Sequence, residues 1–130
     1  MSQVMEKLGI IGQGSIGSAV REEMKNHFDI ITYDKDHSKS TCKNLFDLME
    51  QVNTTFLCVP APMKDSGEYD LYIVRGVLQE INGIAHALNK KNFTVYIKSI
   101  IPIDLVEKLN QEFTNINIIF DHDVLYITSG

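Results

Sequence analysis

Apolar positions along the chain change period several times, and the changes divide it into alternating strand-like and helix-like segments. Lys7–Ile11 and Asp29–Tyr33 (DIITY) are short apolar runs of strand type. Thr54–Val59 (TTFLCV) is a third, stopped by Pro60 and Pro62, and Phe93–Ile97 and Ile116–Phe120 make a fourth and a fifth. Helical spacing fills the intervals. Ser15–His27 carries Ile16, Val20 and Met24 at i, i+4 and i+8, and Asn44 is placed to cap a short helix running through Val52. Tyr69–Lys90 reads as one long helix with a stripe of Leu71, Val74, Leu78, Ile81, Ala85 and Leu88. Gly76 and Gly83 weaken that helix by about 1 kcal/mol each relative to alanine. Ile103–Phe113 is a further helix with Pro102 near its start, Asp34–Lys43 is loop, and Asp121–Gly130 fits either loop or one more strand.

Strands that alternate with helices predict an α/β fold, a Rossmann-like doubly wound parallel sheet with helices on both faces. Right-handed crossovers then predict the strand order 3-2-1-4-5, with a ligand crevice between strands one and four. The loops to inspect are those following the strands: Gly12–Gly17, Asp34–Asp36, Pro60–Gly67, Ser99–Pro102 and Asp121–Leu125.

The length of 130 residues suits a single domain, 1–130. A net charge of -5 argues against a nucleic-acid partner, which needs a basic face. No apolar run approaches the roughly 18 residues that span a membrane, and MSQVMEKLG lacks a signal-peptide pattern, so a cytoplasmic address is expected. Cys42 and Cys58 form no CxxC pair, and Cys58 lies in an apolar run as a buried thiol.

The candidate chemistry begins at LGIIGQGSIGSAV, Leu8–Val20. A strand leads into Gly12-x-Gly14-x-x-Gly17, and a helix follows at once, the arrangement that receives a dinucleotide. Gly12 permits the tight turn, Gly14 lets the backbone approach a pyrophosphate, and Gly17 lets the helix pack closely on the strand. Ser15 and Ile16 occupy the first helical turn, where free N–H groups and the positive end of the dipole face the phosphates. Asp34, 22 residues beyond Gly12, is placed to accept hydrogen bonds from an adenosine ribose and to prefer NAD over NADP. Lys35 and Lys39 are cations beside it, and Asp36 reads as a loop charge or cap.

The later loops add a family resemblance. CVPAPMKDSGEYD (Cys58–Asp70), a long helix, and IKSIIP (Ile97–Pro102) resemble the UDP-glucose/GDP-mannose dehydrogenase family over about Leu8–Leu125. The resemblance implies the NAD-binding domain of an enzyme that oxidises the C6 alcohol of a nucleotide sugar to a carboxylate. It implies cofactor contacts at Gly12, Gly14, Ser15, Ile16, Gly17, Asp34, Lys35, Val59, Pro60 and Ser99, with Pro62 and Pro102 also matching. Ala61, Ile100, Ile103 and Asp104 depart from the family pattern. Asp123, with Leu125, falls where the family carries its Asn-Pro-Glu-Phe-Leu motif. Asp123 and Ser99 are therefore the candidate catalytic groups, for proton handling or water positioning.

The family's nucleophilic cysteine segment has no counterpart, because neither STCKN around Cys42 nor FLCVP around Cys58 matches it. Without a thiolate, oxidation of aldehyde to acid has no covalent route. The family's substrate domain and dimerising helix are also unmatched, so a homo-oligomer or a separate catalytic half is an expected partner. The alternative reading is a non-enzymatic NAD-binding sensor or assembly module. No metal is expected: Asp121, His122 and Asp123 alternate faces on an extended strand and do not converge. His27 and His86 read as structural or solvated, Lys98 as an exposed lysine or an anion contact, and Tyr69 and Tyr72 as helix packing, with lining of the crevice the alternative.

Overall fold

In the computed structural model, which describes residues 5–68, 70–98 and 103–120, the chain runs β1 (Lys7–Ile11), α1 (Ser15–Met24), β2 (Asp29–Tyr33), α2 (Leu45–Gln51), β3 (Thr54–Leu57), α3 (Tyr72–Ala87), β4 (Thr94–Ile97), α4 (Ile103–Glu112) and β5 (Asn117–Phe120). A single 3-10 turn, His37–Lys39, interrupts the loop after β2. All five strands pair in parallel, and the α/β class predicted from the alternation is the one observed.

The strand order is β2-β1-β3-β4-β5, not the expected 3-2-1-4-5. The third strand crosses β1 and pairs with it on the side away from β2, Gly9 opposite Thr55 and Ile11 opposite Leu57. The connection between β2 and β3 runs over β1 through α2. The link from Tyr33 to Thr54 holds one 3-10 turn and a seven-residue helix, and α2 packs over both β2 and β1. A side chain at Gly9 would stand 2.9 Å from the Leu48 side chain and 2.9 Å from the Thr55 hydroxyl. Its absence lets α2 lie close on β1. The direction of winding therefore reverses between β1 and β3, and the crevice belongs there rather than between β1 and β4.

Two apolar cores follow from this winding. On one face α2, α3 and α4 bury Leu48, Leu78, Ile81 and Leu109 against Ile11, Leu57, Val95 and Ile97. On the other, α1 places Val20 on Leu8, Ile10, Phe56 and Cys58. Ile16, expected on the same stripe as Val20, is 37% exposed, because the first turn of α1 stands beside the glycine loop.

The long helix is shorter at both ends than its periodicity suggests. At the start, the chain after Pro62 turns back on itself: the Lys64 N–H donates to the Glu68 carbonyl and the Asp70 N–H to that of Pro62. The Asp70 carboxylate then accepts from the Tyr72 N–H at 3.0 Å, and Tyr72, expected in helix packing, is 84% exposed. Tyr69 lies outside the described residues. At the far end Asn89 takes φ 55°, and the Lys90 N–H reaches back to the Ala85 carbonyl, ending the helix in a Schellman turn.

Among the described residues, the loop after β2 lines one edge of the sheet and a side chain of α4 the other. At the outer side of β5 the Asn110 amide accepts from the Ile118 N–H and donates to its carbonyl, both at 2.8 Å. We expect Asn110→Ala to cost about 1–2 kcal/mol, two such bonds at a largely buried residue, read as a lower thermal midpoint and greater self-association. An unchanged midpoint would show that water replaces the amide without penalty.

Candidate functional site

The end of β1 is wedged between its two neighbours. The Gly12 N–H donates to the Tyr33 carbonyl of β2 at 2.8 Å, and the Cys58 N–H donates to the Ile11 carbonyl at 2.8 Å. Gly12 holds φ +94°, a left-handed value that disfavours any side chain, and a Cβ there would lie 2.7 Å from the Cys58 carbonyl oxygen. The turn after β1 is thus pressed against the segment after β3, which brings Val59 and Pro60 next to the glycine loop. Val59 is half-buried and Pro60 exposed.

The other two glycines of the motif serve different ends. A Cβ on Gly17 would fall 1.8 Å from the Gly12 carbonyl oxygen, so helix and turn share that space. A Cβ on Gly14 would meet nothing within 4 Å, and Gly14 is exposed with ordinary extended φ of -76°. Gly14 is therefore not required by the protein's own packing. It caps α1, with no side chain to occupy the first-turn N–H groups and no acidic residue in that turn. Ser15 and Ile16 are exposed beside it, leaving an open surface with donor groups.

Asp34 joins this loop to β2. Its carboxylate accepts from the Gln13 N–H at 2.7 Å and from the Asp36 N–H at 2.8 Å. Those donors hold its carboxyl below the ordinary aspartate value of 3.8, the Asp36 N–H first, with partial burial opposing and the Gln13 N–H adding to the effect. A carboxyl depressed in the folded state contributes stability that is complete above 3.8 and is lost as pH falls through the folded value. Asp34→Asn should accordingly be less stable than the wild type at neutral pH, and the difference should shrink on acidification below about pH 4. Thermal midpoints of both proteins across that range test this; a constant difference would assign the effect to geometry rather than charge. Lys35 and Lys39 are exposed nearby.

Gln13 escaped the sequence reading. It is 7% exposed, its side-chain amide donates to the Gly12 carbonyl at 3.1 Å, and its own carbonyl accepts from the Ser18 hydroxyl. A polar residue inside a glycine turn was the available signal.

Ser99 and Asp123, the candidate catalytic groups, lie outside the described residues, as does the Asp121-His122-Asp123 run. Lys98, read as exposed or as an anion contact, is 6% exposed, with its ammonium 5.9 Å from the Phe56 ring centroid. Burial pushes the Cys58 thiol up to about 12, against a smaller opposing pull from Lys98, and raises that of Cys42, with Asp47 adding to it. Neither cysteine has thiolate character at neutral pH. Among the described residues no cluster of metal-ligating side chains occurs, and no helix is long and apolar enough to cross a membrane.

A parallel sheet of this order, with a glycine turn at its switch point and an acid ending β2, is the Rossmann-like fold found in dehydrogenases. Among solved structures, 88% of this chain matches 34% of a UDP-glucose dehydrogenase from the hyperthermophilic archaeon Pyrobaculum islandicum, at 18% identity and a TM-score of 0.63. A GDP-mannose dehydrogenase from Pseudomonas aeruginosa matches over 85% of this chain and 34% of its own, at 16% identity and 0.66. A 3-hydroxyisobutyrate dehydrogenase from Mycobacterium tuberculosis matches over 88% and 39%, at 9% identity and 0.67. The likeness is one of fold, and the chain spans between a third and two-fifths of those proteins. No family model and no curated protein matches the sequence.

Proposed function

We propose that this chain is an NAD-binding domain of the nucleotide-sugar dehydrogenase type. The observation that carries the reading is the link from the Asp34 carboxylate to the Gln13 N–H, beside the open backbone at Gly14. A phosphate-binding turn and a ribose acceptor are thereby held in one rigid unit. Gly12, Gly14, Ser15, Ile16 and Gly17 would hold the pyrophosphate, Asp34 the adenosine ribose, and Val59 and Pro60 the opposite wall. Bound NAD supplies a hydride acceptor. A second carboxylate neighbour, Asp36, adds to the repulsion of a 2′-phosphate and favours NAD over NADP.

The test is calorimetric titration of the chain with NAD and NADP, with Asp34→Ala as the control. Saturable NAD binding, at least about tenfold weaker for NADP and for the variant, is expected, since the ribose bonds to a carboxylate are charge-assisted. No heat of binding to a folded chain would overturn the reading. The alternative is a sensor or assembly module, in which the same site binds NAD without turnover. A change in sedimentation on adding NAD, with no reduction of NAD in the presence of UDP-glucose, would select it.

A further inference from the structure

The observed strand order leaves β2 at the edge of the sheet, and among the described residues no strand neighbours it on the outer side, where Asp34 follows its last residue. The returning loop takes that place. The Thr41 N–H donates to the Thr32 carbonyl at 2.9 Å, and the Thr32 N–H donates to the Thr41 hydroxyl at 2.9 Å. One step further along, a single hydroxyl does the work of a strand. The Asp34 N–H donates to the Ser40 oxygen at 2.9 Å, and the same hydroxyl donates to the Asp34 carbonyl at 2.9 Å.

Both polar groups of the Asp34 backbone are thus held by Ser40, on the side opposite the Gln13 contact. A residue clamped through its own N–H and C=O has little freedom in φ and ψ, and its side chain leaves the backbone in a set direction. We infer that Ser40 is the positioning residue of the cofactor site, aiming the Asp34 carboxylate at the nucleotide's ribose in place of the strand that the edge lacks. The inference rests on the reading of Asp34 given under the proposed function. It adds that ribose recognition here depends on one hydroxyl that touches no part of the ligand.

The experiment compares NAD titrations and thermal midpoints of the wild type with Ser40→Ala, Ser40→Thr and Thr41→Ala. Thr41→Ala is the control for edge stability, since it removes a bond to Thr32 and none to Asp34. Ser40→Ala should weaken NAD binding about tenfold, the loss expected when two ordinary hydrogen bonds no longer pre-organise the acceptor. Ser40→Thr, which keeps the hydroxyl, should restore affinity to within about twofold, and Thr41→Ala should lower the midpoint while leaving affinity near wild type. The pH profile supplies a second readout. The donors that depress the Asp34 carboxyl depend on its placement, so NAD binding by Ser40→Ala should begin to fail at a higher pH than that of the wild type.

Equal affinity for wild type and Ser40→Ala, or equal losses in Ser40→Ala and Thr41→Ala, would overturn the positioning role while leaving the NAD site intact. A wild type that does not bind NAD would overturn both, and that result is distinct from the first.

Discussion

Gly17→Ala is expected to lower the thermal midpoint by roughly 10 °C or more and to leave part of the population unfolded at physiological temperature. The added methyl would sit 1.8 Å from the Gly12 carbonyl oxygen, well inside any tolerable contact. That oxygen belongs to the backbone of a turn already fixed on both sides, by the bond to Tyr33 and by the press against Cys58. No rotamer change relieves the clash. Either α1 must lift from β1, uncovering Val20 and Ile10, or the turn must open and release its neighbours. Overpacking of this kind costs about 1–3 kcal/mol where side chains can adjust, and more where the obstacle is main chain. Set against a total stability of about 5–15 kcal/mol, that is a large fraction. Circular dichroism melts of the two proteins decide it. A midpoint within about 2 °C of wild type would mean that α1 shifts at little cost, contrary to the packing described.

Gly14→Val should have the opposite signature. The backbone at Gly14 is extended, a conformation that valine favours, and a Cβ there meets nothing within 4 Å. The variant should fold with a midpoint within a few degrees of wild type. Its branched side chain would nevertheless fill the surface over the first-turn N–H groups of α1, where the pyrophosphate is proposed to lie. Loss of NAD affinity of about a hundredfold or more is expected, because the phosphates would forfeit several charge-assisted bonds together. Titration and melting on one preparation separate the cases. NAD binding at wild-type affinity would remove the glycine loop from the site, whereas a collapsed midpoint would show that Gly14 carries an unseen packing role. Two glycines three residues apart are thus expected to fail in different ways, one through the fold and one through the ligand.

Much of the site could be read from the chain because its parts are local. A turn that needs left-handed φ selects glycine at position 12, and a helix that must touch a turn selects glycine at position 17, whatever the rest of the protein does. Asn44 capped α2 as its spacing suggested, its side chain accepting from the Asp47 N–H at 2.8 Å. Ser40 was not legible in the same way. Serines in polar loops are common, and only the edge position of β2 gives this one its bonds to Asp34. The ends of α3 were also obscured, because the apolar stripe continues into residues that the Asp70–Pro62 backbone bond and the Asn89 turn divert.

From residue pattern alone came the alternation of strands and helices, the parallel α/β class, the glycine turn and the acid at the end of β2. These depend on periodicity and backbone preference over spans of a few residues. The tertiary structure alone decided on which side of β1 the third strand lies, and with it where the crevice opens. The α2 crossover that leads to β3 sets Leu48 closely over the bare Gly9, a contact between residues distant in the chain. Strand order depends on contacts between residues distant in the chain, and no local pattern carries that information.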